Sequence, residues 1–169
     1  LCIGMIREIL SYVYNLTIRR RLPRRIRVFN GVAARSEQRL LDLEYDPAVP
    51  QYEQPLCDAI RKNVQKNDDV VVVGGGKGVS TVLSLERSYP EGTVTVIEAS
   101  GRQCSDINEV LRWHGLSDRA TVHHASIGKI RNAYVSLGEP KEFYTDDLPP
   151  CDVLVMDCEG AEKRILSNL

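Results

Sequence analysis

The segment VVVVGGGKGVST, residues 70–81, restricts the fold more than any other part of the chain. Four consecutive valines are β-branched and apolar on both sides of the backbone, a composition suited to a strand covered on both faces. Directly behind them, VSTVLSLERSY (79–89) returns to helical spacing and stops before Pro90 and Gly92. Gly74, Gly75, Gly76 and Gly78 lie between the two elements. A loop without side chains at that place lets backbone N–H groups approach a ligand, and the following helix N-terminus adds a favourable positive end.

The remaining sequence extends this unit into an alternating series. YEQPLCDAIRKNVQKN (52–67) spaces Leu56, Ile60 and Val64 four apart, which predicts a helix before the valine strand. TVTVIEAS (93–100) predicts a second strand, and SDINEVLRWHGL a helix with Ser105 as N-cap and His114–Gly115 as its stop. ATVHHAS (120–126) is a third strand; a less regular stretch runs to LPP (148–150), DVLVMD (152–157) is a fourth strand, and EGAEKRILSNL opens another helix. The order strand, helix, strand, helix, strand, strand, helix predicts an α/β fold, a Rossmann-like open parallel sheet with helices on both faces.

Two nucleotide-binding motifs compete for the glycine loop. A dinucleotide fingerprint counted from Gly74 and Gly76 requires its third glycine at Val79, and the spacing present is Gly74-x-Gly76-x-Gly78. A phosphate-binding P-loop requires Gly-Lys-Ser/Thr, which Lys77 does not complete. A purely structural tight turn is the third reading. Glu98 argues against that one: it follows Gly78 by twenty residues and ends the second predicted strand, where an open α/β sheet presents a carboxylate to a ribose diol.

VVVGGGKGVST, VTVIEAS, HHASIG and, most specifically, DVLVMDCEGAE resemble the FkbM-type branch of class I S-adenosylmethionine-dependent methyltransferases over residues 52–166, and Tyr52-Glu53 is similar to the family as well. The resemblance implies that Gly74, Gly76 and Gly78, with Gly75, line the methionine and ribose part of S-adenosylmethionine. It further implies that Glu98, with Ala99 beside it, holds the ribose hydroxyls, that Ala125 and Ser126 border the adenine, and that Asp157 closes the methionine end. The acid often found two residues before the first glycine is Val72 here, so the contact to the methionine amino group that the resemblance implies is either missing or supplied by Glu53. A complete sheet of this class has seven strands; four are predicted, so the expected sheet is incomplete.

A sulfonium methyl is already activated, so such a protein has to hold a nucleophilic oxygen in line with it, exclude water and remove a proton. Asp157 and Glu159, at a strand end and the next helix start, are the candidate bases. The competing reading has Asp157 fixing the loop and Glu159 and Glu162 interacting with the helix N-terminus. His123 and His124 are read as structural, since alternation lets at most one face a pocket. The expected activity is O-methylation of a hydroxyl on a sugar or small metabolite. The alternative is a non-catalytic nucleotide-binding or interaction domain that retains the fold.

The net charge of −1 hides an asymmetry: residues 1–30 hold seven arginines against the single acid Glu8, which leaves the other 139 residues at −7. Residues 1–51 therefore read as a basic helical arm with a short strand and turn, and 52–169 as the cofactor domain. Ile3, Ile6, Leu10 and Val13 recur at helical spacing, and RRRLPRR follows at 19–25. Residues 1–25 suit a packing helix, a homodimer contact, a partner groove or an anionic membrane surface. Nucleic acid is disfavoured, because aromatics are not interleaved with the arginines. The five cysteines show no metal-ligand spacing and read as free thiols filling a core in a reducing, cytoplasmic compartment.

Overall fold

A computed structural model of the chain describes residues 2–42, 45–128, 138–158 and 162–167. Helix α1 (Cys2–Thr17) leads through a short turn to β1 (Arg24–Phe29) and β2 (Val32–Arg39). Asn30 and Gly31, both with positive φ (49° and 93°), join these strands in the left-handed conformation that a two-residue hairpin requires. β3 (Ala48–Val49) runs parallel to the end of β1, giving a small sheet of order β2-β1-β3. There follow α2 (Gln54–Asn63), β4 (Val70–Val73), α3 (Val79–Arg87), β5 (Val94–Glu98), α4 (Gly101–Trp113), β6 (Ala120–Ile127), β7 (Lys141–Phe143), β8 (Val153–Met156) and α5 (Glu162–Leu166).

The main sheet has five strands in the order β7-β6-β5-β4-β8, and every neighbouring pair is parallel. This is the α/β architecture predicted from the sequence. β4 sits between β5 and β8, with all four valines at most 3% exposed. Their side chains alternate: Val70 and Val72 enter a core with α2, α3 and α4, whereas Val71 and Val73 enter a second core with Ile97, Ala125, Ile127 and Ile165. Burying each such side chain stabilises the fold by roughly 1.5–3 kcal/mol before entropy is counted.

The sequence left three strands unforeseen, the eight-residue β2 and the short β3 and β7. It also misplaced one cap. α4 starts at Gly101, capped by Ser100, whose extended backbone lets its Oγ accept the Gln103 N–H. Ser105, the predicted cap, lies inside the helix and donates to the Gly101 carbonyl. The stop at His114–Gly115 is as expected, with Gly115 at φ +68°. Among the cysteines, Cys57 and Cys104 fill the core, but Cys151 is exposed.

Four of the seven arginines of residues 1–30, and Arg35 beyond them, are engaged within the fold. Arg24 forms a paired contact with Asp106 on α4, and Arg35 grips Glu109 with two bonds of 2.8 Å while lying over the Trp113 ring. Arg19 bonds Asp42, Arg27 approaches Asp46, and Arg25 donates to the Arg39 carbonyl. Phe29, Val32 and Ala34 join the α2–α4 core, so the small sheet is packed on it. On α1, Tyr12, Val13 and Leu16 are exposed, and no helix among the described residues is long and apolar enough to cross a membrane.

The chain moves outward from β4 through β5 and β6 to β7, then returns to the other side of β4 as β8. Ligands of open α/β sheets bind at such a reversal, outside the carboxyl ends of the strands. Here Gly74 and Asp157 leave β4 and β8 side by side: Asp157 N–H donates to the Val73 carbonyl at 2.9 Å. A Cβ on Gly74 would overlap the Asp157 carbonyl oxygen and lie 2.7 Å from its carbonyl carbon, at φ +86°.

Gly74→Ala is therefore expected to lower unfolding free energy by at least about 2 kcal/mol, from left-handed strain plus backbone overlap. A denaturant midpoint equal to the parent's would refute the contact. Glu109→Gln should cost about 1 kcal/mol at neutral pH. Its hydrogen bond with Arg35 holds the Glu109 carboxyl below its ordinary 4.5, so this contribution is complete above that value and is lost as pH falls through the folded value. The parent and variant stabilities should converge in acid, as urea titrations across roughly pH 2.5–7 would register.

Candidate functional site

The glycine loop is fixed before any ligand is considered. Gly75 is pinned by packing, since a Cβ there would fall 2.6 Å from Ile107 Cδ1 and 2.7 Å from Val96 Cγ1. Gly78 is the N-cap of α3 and lies against Ile107 and Val110. Gly76 differs from both: at φ +52° nothing lies within 4 Å of where its Cβ would be, so this is the point of the loop open to an approaching group.

Glu98 ends β5 and is 5% exposed. Its Oε2 accepts the Gly76 N–H at 3.0 Å and its Oε1 the Ser100 N–H at 2.7 Å. A buried carboxylate is stable only with such donors. Each oxygen keeps a further acceptor direction, so the group can still take hydroxyl protons from a ligand. Ala99 is half-buried, and its carbonyl meets His124 Nε2 at 3.0 Å. The loop, the acid and the end of β6 thus form one hydrogen-bonded unit.

β6 outruns β5. Its last paired residue against β5 is His124, opposite Glu98, and Ala125 and Ser126 continue beyond it beside β7. Both are buried, and Ser126 Oγ donates to the Gly128 carbonyl. His123 lies 5.6 Å from the Phe143 ring, between centroids. Both histidines are accordingly engaged by the fold.

Across the reversal point stands a charged rim. Glu53 is the N-cap of α2, in the left-handed region at φ 44°. Its carboxyl is raised, first by burial and further by Asp157, against the lowering influence of a hydrogen bond from Tyr52 and of Lys77. Burial and the Glu53 carboxyl together push the Tyr52 hydroxyl well above its ordinary value. Lys77 Nζ lies 5.8 Å from the ring centroids of both Tyr52 and Phe29. Val72 is fully buried and offers the site nothing polar, whereas the Asp157 carboxylate acts electrostatically on Glu53. Asp157 itself is exposed at the end of β8.

Glu159 lies outside the described residues. Glu162, at the start of α5, accepts the Cys158 N–H at 3.0 Å. Sequence reasoning singled out neither Lys77 as a site residue nor Phe29. The signal available was a lone lysine among four glycines, and only the tertiary fold brings it to Tyr52.

No family model matches the chain, and no curated protein matches it. Several solved structures do align with it. A protein-L-isoaspartate O-methyltransferase is 16% identical with a TM-score of 0.47, over 87% of this chain and 36% of that one. A SAM-dependent O-methyltransferase from Thermotoga maritima is 18% identical with a TM-score of 0.42, over 44% and 29%. A SAM-dependent methyltransferase from Geobacter sulfurreducens, solved with S-adenosyl-L-homocysteine, is 20% identical with a TM-score of 0.37, over 50% and 32%. The chain spans about a third of the length of these proteins.

Proposed function

We propose that the chain binds S-adenosylmethionine as a class I methyltransferase of the FkbM type and transfers its methyl group to a hydroxyl oxygen on a sugar or small metabolite. The observation that carries this reading is the joined pair at the sheet's reversal point: an open glycine at Gly76 bonded to a buried strand-end carboxylate, Glu98. The residues present fit the cofactor. The space over Gly76 admits its backbone-facing part, Glu98 has acceptor capacity left for two ribose hydroxyls, and Ala125 and Ser126 offer a buried wall for a base. When bound, the cofactor supplies a methyl carbon activated by its sulfonium.

The protein's share is positioning and proton removal. Glu98 is buried and already committed to two amides, which makes it a binding group and unsuited as base. Asp157 is exposed just after β8, beside the end of β4, and would be the group to take the proton of an acceptor hydroxyl held there. Glu159 is the second candidate for that proton.

Calorimetric titration with S-adenosylmethionine, S-adenosylhomocysteine and NAD tests the cofactor. Binding of NAD alone would refute the assignment. Glu98→Gln should weaken S-adenosylhomocysteine by about ten- to a hundredfold, the worth of a charge-assisted hydrogen bond; an unchanged dissociation constant removes Glu98 from the site. With an acceptor found by screening hydroxylated compounds, Asp157→Asn should slow turnover by about 10²–10⁴-fold while cofactor affinity changes far less. If Asp157→Asn and Glu159→Gln both turn over like the parent, positioning alone carries the reaction. A parent that binds cofactor and methylates nothing favours an interaction domain.

A further inference from the structure

Among the described residues, nine of the thirteen large apolar side chains left exposed lie within residues 12–45, each 39–67% exposed. They come from separate segments: Leu16 and Ile18 from the end of α1 and the turn after it, Leu40 and Leu41 from the end of β2, and Ile26 and Val28 from one face of β1. Contacts tie these pieces together. Asp42 accepts the Tyr14 hydroxyl at 3.3 Å, the Arg19 guanidinium at 2.9 Å and the Arg39 N–H at 2.8 Å, which fastens the end of α1 to the end of β2. Leu40 N–H donates to the Pro23 carbonyl at 3.2 Å, and the Tyr45 hydroxyl to the Ile26 carbonyl at 2.8 Å. Arg25 links the two, lying 4.3 Å from the Tyr45 ring centroid and donating to the Leu40 carbonyl.

The cations on this face are not answered by acids. Arg25 bonds the carbonyls of Arg39, Leu40 and Asp42, Arg39 bonds the Leu22 carbonyl at 2.8 Å, and the exposed Arg21 has no side-chain partner among the described residues. A carbonyl orients a guanidinium without neutralising it. The exposed acids close by in sequence, Glu37 and Asp46, already face Arg102 and Arg27.

We propose that this face docks on an anionic lipid surface, with the apolar side chains entering the headgroup region and Arg21, Arg25 and Arg39 meeting the acidic headgroups. The face reaches beyond residues 1–25 to the ends of β1 and β2, and it needs no cofactor to act. A fluid interface accepts protruding side chains from separate segments, whereas a folded partner has to fit each of them. A second copy is disfavoured by charge: a two-fold contact sets the same patch against itself, so the three arginines would meet their own kind.

The test is flotation of the 169-residue chain with vesicles of phosphatidylcholine, and with vesicles of equal parts phosphatidylcholine and phosphatidylserine. Binding to the anionic vesicles should be stronger by at least about tenfold and should weaken as salt is added. Arg21→Gln should lower it by about fivefold, and Leu40→Ser with Leu41→Ser by about tenfold. Leu166→Ser, at an exposed leucine on α5, should leave it unchanged. Equal binding to both vesicles, binding to neither, or anionic binding that Arg21→Gln and the leucine pair leave intact overturns the proposal. A dimer in sedimentation equilibrium that the leucine pair dissolves gives the face to a second copy and overturns it as well.

Discussion

At the carboxyl end of the sheet two backbones meet with no side chain between them. Gly74 lies against the Asp157 carbonyl, and β4 and β8 can leave the sheet together only because position 74 has no Cβ. Everything that gives the site its shape follows from this approach. It brings the loop after β4 beside Asp157, and it leaves the opposite edge of the loop free to bond Glu98 on β5. Three strand ends are thereby fixed relative to one another by main-chain geometry and a single carboxylate.

The architecture was legible because its signals are local. Four valines in succession, the glycines behind them and an acid ending the next strand each point to one conformation, and their order names the sheet. Boundaries were less legible. Ser100 and Ser105 are both good caps in isolation, and the choice falls to Ser100 because Glu98 takes the Ser100 N–H and turns the chain there. β7 was hidden for another reason: its three residues pair with the overhanging end of β6, a contact between segments that share no sequence pattern.

The site was readable in its parts and not in its arrangement. Glu53, Glu98 and Asp157 stand out as candidates by residue type and position, but the placing of Lys77 near two aromatic rings depends on Phe29, far away in the chain, being carried to the loop by β1. Charge was misleading in the same way. Seven arginines in thirty residues look like a surface for an anionic partner, yet Arg19, Arg24 and Arg27 face acids of this same chain. A count of charges says nothing of which are already answered.

Helix α3 has almost no solvent face. Residues Val79 to Leu85 are all buried, because α2 and β2 cover the side that the sheet does not. In terms of local opening, such a helix has no cheap fluctuation available: exposing its amides requires lifting away the small sheet, whose Arg24 and Arg35 are clamped to α4. The loop that ends in Gly78 is therefore rooted in the part of the molecule that opens last. Its geometry is inherited from global stability, so substitutions on the outer surface of β2, far from any ligand, would be felt at the loop as a change in how often it is intact.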